Sequence, residues 1–483
     1  MQITLRMYCM KKILLIVLIV FTGYANFAQK TVLSEKTEIN FRNDDFAIIG
    51  KYKNLNAVYI NANQKAEVVF YNSNMEFEKR IELPFIKKAS ANIHFVSSKD
   101  GLLVFFEQKS AKKINLFASK LQEDTTFSSP ISLLETTSDF LKERVEFKFA
   151  HSEDKQKHLI YNYSESNNQW ELQAVVVDKE LAIETNISQT IAQDNFYFLN
   201  EQAISNNGTI YLTSSNRNPN KGSMEDLNVL IATQSQPAFT IVQTNLNNHA
   251  VSDLQLIIDN KNNQLYVSGF FSDNKFSSPK GIFYLTVDEN KTQSTAHFTT
   301  LALQLQNGIS DFRNLQMRAI SLKKEGGVEL IAEKFSQITR TISSGPVLTL
   351  GMNTMQEITR TVQEYNYDEV IIFNLKTDGT LAWSQTLLKD QQTQDDGGIY
   401  SSFGLLENKL GKVYIFNDMN TKNTRLMACY ANNKGALSIK EIQTTKEIDD
   451  WNVMPRSTKQ ISANELMLPC VSKNQLCFLL IGY

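Results

Sequence analysis

Cysteine is the first scarcity of this chain, with four in 483 residues. One of them, Cys9, lies ahead of an apolar leader, so processing leaves Cys429, Cys470 and Cys477. An odd, sparse set of this kind excludes a disulfide framework. Cys470 and Cys477 flank "VSKNQL" and are placed either to face each other across a hairpin or to act as small buried hydrophobes. No CxxC or histidine-rich spacing accompanies them, so no metal centre is expected. Histidine is almost as rare. His94, His151, His158, His249 and His297 are scattered without ligand-pair spacing, and they read as ordinary surface or packing residues. Charge of one sign is missing too: 49 basic and 51 acidic residues are spread without long runs. A nucleic-acid partner needs a concentrated basic footprint, so none is expected. GxSxG, HExxH, P-loop and dinucleotide fingerprints are all absent. No catalytic residue and no cofactor can be named, and the reading leans away from an enzyme.

What is present begins at the N-terminus. Lys11 and Lys12 precede an unbroken apolar run, Ile13 to Phe21, followed by small residues up to Ala28. A basic n-region, a short h-region and small residues form a secretory signal peptide, assigned to residues 1–28. Met7 or Met10 is an alternative start. The competing reading is an uncleaved anchor, but the run falls short of the ~18 residues a spanning helix needs. No second apolar run of membrane length follows, so no transmembrane span is expected after cleavage. Export to the periplasm or cell surface of a Gram-negative bacterium is the expected localisation.

From Phe46 to the end, one cassette recurs: strand, tight turn, strand. "VIIFNLKTDGTLAWSQTLL" (Val370 to Leu388) and "LQLIIDNKNNQ" followed by "LYVSGFF" (Leu254 to Phe271) show it. "SKDG", "SNNG", "KEGG" and "NKLG" end at Gly101, Gly208, Gly327 and Gly411 and supply the positive φ of tight hairpins. Each cassette reads as four strands, A to D. C strands are near-continuous apolar runs, as strands covered on both faces should be. D strands alternate apolar and polar, as a half-wet outer edge should. A repeat of about 50 residues built only of short strands implies an all-β fold, a β-propeller of four-stranded blades. Seven full cassettes and a final A-B-C set (Ser457 to Tyr483) are countable, with a spare strand at Thr31 to Phe41. Eight blades are therefore expected in one domain, residues 30–483, the N-terminal strand completing the last blade and closing the ring. Seven blades is the runner-up. Residues 338–367 read as an insertion in the B–C loop of the sixth cassette, either a short helix around Met355 to Gln363 or an extra hairpin.

Strand parity chooses a face. A–B and C–D turns share one side and are short; B–C loops and D–A links share the other and are long, and binding residues concentrate on such loops. The links repeat an aspartate: Asp139, Asp194, Asp253, Asp311, Asp395 or Asp396, and Asp449 or Asp450. Two readings stand: a carboxylate ring able to hold a cation or basic ligand, or aspartates bonded to their own loop backbone. The candidate binding residues are Asp311, Arg313, Asp395, Asp396, Asp449, Asp450 and Trp451, the tryptophan being either a sugar-stacking platform or a plug between blades. "TDGTLAW" (Thr377 to Trp383) looks like a degenerate Asp-box but reads as a C–D turn.

The leader, "EVIIFNLKTDGTLAWSQ" and "GKVYIFNDMN" resemble exported β-propeller proteins of Gram-negative bacteria that lack an assigned activity. The resemblance implies architecture and carries over no catalytic residues. The expected role is a monomeric binding or scaffold module for a protein, peptide or glycan; the alternative is a propeller glycan hydrolase or lyase with acidic residues at the channel mouth.

Overall fold

A computed structural model describes residues 30–87, 90–98, 101–110, 113–137, 146–166, 169–192, 198–216, 222–288, 293–301, 312, 314–348, 355–419, 424–443 and 451–483. Among them the chain is all-β, with a single 3-10 turn at Pro455–Ser457. The strands form eight antiparallel sheets, the blades of a β-propeller. In A-to-D order, blade 1 is Asp45–Tyr52, Leu55–Ala62, Lys65–Tyr71 and Phe77–Glu82, and blade 2 is Ser90–Ser97, Leu102–Lys109, Lys113–Lys120 and Ile131–Thr137. Blade 3 is Lys148–His151, Lys157–Ser166, Gln169–Asp178 and Ile183–Ala192; blade 4 is Phe198–Ile204, Ile210–Ser215, Asn228–Ala232 and Thr240–Asn245. Blade 5 is Ala250–Asp259, Gln264–Ser272, Gly281–Asp288 and His297–Thr300; blade 6 is Leu315–Leu322, Val328–Leu348, Met355–Leu375 and Leu381–Leu387. Blade 7 is Gly404–Asn408, Gly411–Asp418, Arg425–Asn432 and Leu437–Glu441.

Blade 8 is composite. Its strand A is split (Asn452–Val453 and Lys459–Ser462), B is Glu465–Ser472 and C is Gln475–Gly482. The N-terminal strands Lys30–Leu33 and Thr37–Glu38 lie antiparallel on C, with Lys30 opposite Gly482 and Thr37 opposite Leu476. They occupy the D position that the sequence leaves open.

The apolar pattern explains the stacking. Side chains on the two faces of each sheet point at the neighbouring sheets, so the core divides into seams. Eight buried clusters each join two adjacent blades: Phe106 and Tyr59 across blades 1 and 2, Phe105 and Ile160 across 2 and 3, Leu468 and Ile415 across 7 and 8. One cluster joins Met467 and Phe478 of blade 8 to Val58 and Ile60 of blade 1. Burying each large apolar side chain contributes roughly 1.5–3 kcal/mol, so stability accumulates seam by seam.

Polar ties cross the same seams, and many start at an irregularity of strand A. Six A strands step out of register with strand B, at Ile48/Gly50, Ala91/His94, Leu199/Gln202, Ser252/Gln255, Met317/Ala319 and Gln460/Ser462. A bulge leaves one residue unpaired and re-aims its side chain. In blade 1 the bulge frees the carbonyl of Ile49, which accepts the Ser97 hydroxyl of blade 2 at 3.1 Å. Gly50 there has φ +123°, and a Cβ would lie 2.5 Å from Ser97 Oγ, so the close approach requires glycine. In blade 2, Glu107 is fully buried and Oε1 accepts both Asn92 Nδ2 at 2.8 Å and the Phe147 N–H of blade 3 at 3.0 Å.

The insertion in blade 6 is strand throughout its described length. Strands B and C run on together beyond the sheet, pairing Ile338 with Glu364 and Thr341 with Thr361, and Gln391–Gln394 adds a third strand at the base. The helical reading of residues 355–363 is thus overturned. Ile338, Thr339, Thr341, Ile342, Thr361 and Val362 are β-branched and favour extended backbone over helix.

Candidate functional site

The candidate residues named from sequence divide sharply. Asp311, Arg313, Asp449 and Asp450 lie outside the described residues, as do Asp139 and Asp194. Asp395 accepts the Gln363 N–H at 2.9 Å and pairs with Arg360 at 2.6 Å; these bonds hold its carboxyl below the usual carboxylate range. Asp396 accepts the Thr393 hydroxyl and the Gly398 N–H, both at 2.8 Å. Both aspartates are engaged in bonds within blade 6 and its link. Trp451 is 8% exposed, lies in the core cluster between blades 7 and 8, and has the Lys36 ammonium 5.5 Å from its ring. It is a plug, and the platform reading falls. Asp378 accepts the Thr380 N–H at 2.9 Å and hydroxyl at 2.7 Å; Asp124 and Thr126 repeat the same geometry in blade 2. The apparent Asp-box is therefore a turn device.

Half-buried ionisable side chains gather on the A strands. The bulges of blades 4, 5 and 6 expel Glu201, Asp253 and Arg318 from strand pairing. Each keeps some accessible surface while protein surrounds it. Asp253 adopts φ +56° and accepts the Met317 N–H of blade 6. Burial pushes its carboxyl up to about 6, against the pull of the Met317 bond and of Arg318. Burial also raises Glu201, with Lys148 of blade 3 opposing and Asp253 adding to the rise. Lys148, Glu201, Asp253 and Arg318 thus form a plus-minus-minus-plus chain across four consecutive blades.

Arg318 links that chain to a buried network. Its Nε bonds Glu333 Oε2 at 2.9 Å, and the Lys389 ammonium lies 2.8 Å from Glu333 Oε1, Glu333 being fully buried and Lys389 nearly so. Ser402 of blade 7 donates to Glu333 at 2.7 Å. Lys389 also donates to the Tyr367 carbonyl at 3.1 Å and to Gln391 Oε1 at 2.8 Å. Tyr367 is ringed by cations: Arg318, Lys389 and Arg456 stand 5.7, 5.8 and 5.9 Å from its centroid, and Arg456 donates to its hydroxyl at 2.9 Å. Arg318 Nη2 is buried without a hydrogen-bond partner.

Three of the five histidines, scattered in sequence and read there as surface or packing residues, lie together. His94 Nε2 and His151 Nε2 are 2.6 Å apart, and His151 Nδ1 and His158 Nδ1 are 3.1 Å apart. His94 stacks on Phe149 at 4.9 Å, and His158 packs by Phe105. Burial pushes His94 and His158 down to about 4 and His151 well below its ordinary value. Each sits on or beside the inner end of its blade, 57 residues separating His94 from His151. No local spacing reveals the group; only the repeat does, because strand A of consecutive blades meets at the axis. Among the described residues no cluster of His, Cys, Asp and Glu is arranged to hold a metal.

The thiols are plain. Cys470 and Cys477 are cross-strand partners, buried and unbonded to each other, and Cys429 is buried and free. On the tight-turn side, a groove of about 320 Å³ opens between blades 7 and 8, lined by Leu410, Val413, Tyr430, Leu437 and Tyr483. Among the described residues no helix is long and apolar enough to cross a membrane.

No protein-family model matches this chain, and no curated protein matches it in sequence. Among solved structures it is similar to prolyl oligopeptidase B from Galerina marginata bound to a 35mer hydrolysis and macrocyclization substrate, at 9% identity and TM-score 0.42, covering 89% of this chain and 56% of that one. The same enzyme bound to a 25mer macrocyclization substrate matches at 10% identity and TM-score 0.41, covering 89% and 55%. A structure from a study of two prolyl endopeptidases matches at 11% identity and TM-score 0.37, covering 81% and 55%. This chain spans little more than half the length of these proteins.

Proposed function

We propose that the protein is an exported binding module that holds a protein, peptide or glycan at the mouth of its channel, on the side of the B–C loops and D–A links. The N-terminal leader and the propeller architecture support export and a display role, and the pairing of the N-terminal strands on blade 8 supports a closed ring. The observation that carries the reading is the desolvated charge on the bulges of blades 4 to 6. Asp253 is held with a carboxyl raised to about 6, beside an Arg318 whose Nη2 is buried and unpartnered. Charge kept at such a cost marks ligand sites more often than scaffolding. Ligand groups reaching the bulges meet both signs: carboxylates from blades 4 and 5, guanidinium from blade 6. The long hairpin of blade 6 rises at the edge of this sector and gives a partner additional strand surface.

Glycan and peptide arrays probed with the wild type and with Asp253→Asn test the reading. Asparagine keeps the acceptor for the Met317 N–H and removes the charge. The expected result is a set of ligands whose signal falls about tenfold, the loss of one charged contact; identical array profiles would contradict the site.

A hydrolytic role is the second reading, favoured by one observation. Glu201 and Asp253 act on one another electrostatically and burial raises both carboxyls, and a carboxyl raised by burial is what the general acid of glycoside cleavage requires. Release of reducing sugar from a ligand found on the array, abolished in Glu201→Gln while binding persists, would establish it. Binding without turnover in the wild type would remove it.

A further inference from the structure

Strand D is the outer edge of a blade, and an edge strand offers its unpaired backbone groups to any further strand. One blade shows such an edge occupied. Between strands C and D of blade 5 lies Gln293–Thr295, which pairs in parallel with Gln243–Asn245 of blade 4, and Ala296 donates its N–H to the Asn245 carbonyl at 3.2 Å. Blade 4 is thereby a five-stranded sheet, covered by a strand of its neighbour. The corresponding connection in blade 2, from Leu121 to Pro130, folds back on itself instead, with Leu121 bridging Phe127. Among the described residues no strand pairs with the outer edge of Phe77–Glu82 in blade 1. A groove of about 760 Å³ lies between that edge and the blade 2 connection.

The walls of the groove differ in chemistry. On the blade 1 side, Leu83 donates its N–H to the Ala66 carbonyl, so antiparallel alternation turns the backbone groups of Arg80 and Glu82 outward, into the groove they line. Blade 4 uses its edge in the same way: Thr244 donates inward to the Leu227 carbonyl, while Gln243 and Asn245 face the added strand. The blade 2 side is braced. Thr125 donates to the Gln122 carbonyl at 3.2 Å with φ +67°, a left-handed conformation that a β-branched residue rarely adopts, and Gln122 donates to the Thr126 carbonyl at 2.8 Å. The floor is aromatic. Phe85 stacks on Phe106 at 5.1 Å and meets Phe127 edge-on at 6.1 Å, and its carbonyl accepts from Gln108 Nε2 at 3.2 Å. The charge is one-sided. Arg80 is paired with Glu67 at 3.4 Å, and Glu82, the carboxylate of the lining, lies 3.9 Å from Lys65. Lys79 and Lys87 also line the groove, and among the described residues neither is paired with a carboxylate. Lys79 stands on the seam face of its strand, 5.0 Å from the centroid of the buried Phe70 ring.

We propose that this groove binds an extended polypeptide segment of a partner protein, added as a strand to the outer edge of blade 1 and carrying an acidic and then apolar side chains along one face. Its N–H and C=O groups meet those of Arg80 and Glu82, a row at strand spacing that a glycan has no groups to match. Its carboxylate meets the unpaired Lys79. Run in parallel, as Gln293–Thr295 runs on blade 4, the next side chain on that face falls beside Ile81, towards Phe85 and Phe127. The site lies on the outer wall of the ring and is separate from the mixed-charge sector at blades 4 to 6.

Fluorescence polarisation of a labelled, end-blocked peptide tests it, the peptide having threonine at alternate positions and a glutamate followed by two leucines between them. The expected result is saturable binding, weakened about tenfold when the glutamate is replaced by lysine. Lys79→Glu should reverse that preference, and Lys79→Arg should retain it. Arg80→Pro removes an outward N–H and leaves the inward ladder intact, so it should weaken binding by about as much; Arg80→Ala, which keeps that N–H, should bind as the wild type does. Circular dichroism confirms that each variant is folded. Asp253→Asn should bind this peptide unchanged, so failure here and failure of the channel-mouth site are separate results. No binding of the peptide, equal affinity for its glutamate and lysine forms, or equal binding by wild type, Lys79→Glu and Arg80→Pro would overturn the proposal.

Discussion

The two flanks of the channel solve one problem in opposite ways. Both place ionisable groups on the innermost strands, where protein surrounds them. From blade 3 to blade 6 the groups stay charged by pairing, as Lys148 faces Glu201, Arg318 faces Asp253, and Arg318 is anchored on the Glu333–Lys389 pair. At blades 2 and 3 the three histidines relinquish charge and hydrogen-bond to one another. Pairing preserves an electrostatic handle at the cost of desolvation, whereas neutralisation packs well and leaves the charge to be called up by acid. The same strand position thus yields either a standing charge or a latent one.

The difference predicts opposite responses to substitution and pH. The largest effect is expected at Glu333→Gln, which leaves the buried Lys389 and the partly exposed Arg318 facing a neutral amide. Breaking a buried pair costs about 3–5 kcal/mol, read as a lower denaturant midpoint at unchanged slope. Equal stability of variant and wild type would show that the pair is not holding the sector together.

Next comes acid. His94 and His158 have folded values depressed to about 4 from 6.5. Their contribution to stability is complete above about 6.5 and is lost as the pH falls through about 4. One such ring accounts for about 3 kcal/mol at the acid limit. His158→Phe, which fills the space beside Phe105, should flatten that acid limb in urea titrations at stepped pH; an unchanged limb would place the acid sensitivity elsewhere.

Asp253 carries the reverse sign. Its folded value is raised, so the folded state takes up a proton first, and stability rises as the pH falls from about 6 towards 3.8. Asp253→Asn should therefore stabilise the protein at neutral pH by on the order of 1–3 kcal/mol while reducing ligand binding. Gain of stability with loss of binding is the mark of a functional charge; loss of both would make it a scaffold residue. The smallest effect is expected far from either flank: adding a reductant should leave the melting temperature unchanged, because all three described cysteines are free thiols.

The architecture was legible because its signals are local and repeated. Apolar C runs beside alternating D runs mark sheets covered on both faces, and an unfinished last cassette with a spare first strand located the partner of Gln475–Gly482. The blade 6 hairpin was legible as one of two alternatives, since "ITRTIS" is rich in β-branched residues within a segment long enough for a helix. The site was not legible, for three physical reasons. A bulge is a slip of a single residue in strand pairing, and alternation alone does not reveal where Asp253 or Arg318 leaves the ladder. The histidines meet because strands 57 residues apart share an axis, a contact set by blade geometry rather than spacing. Aspartates such as Asp395 and Asp396 look the same in sequence whether they face a ligand or close their own turn. Asp253 belonged to the repeated aspartates and was the member that the bulge turned to account.

One contrast runs through the molecule, a standing charge at blades 4 to 6 and a latent one at blades 2 and 3. The most direct measurement is a side-chain NMR titration of the folded protein that follows the Asp253 carboxyl and the three histidine rings together. The account predicts that Asp253 titrates near 6 while His94, His151 and His158 stay neutral until well below that value. Ordinary midpoints, near 3.8 for the aspartate and 6.5 for the histidines, would contradict it.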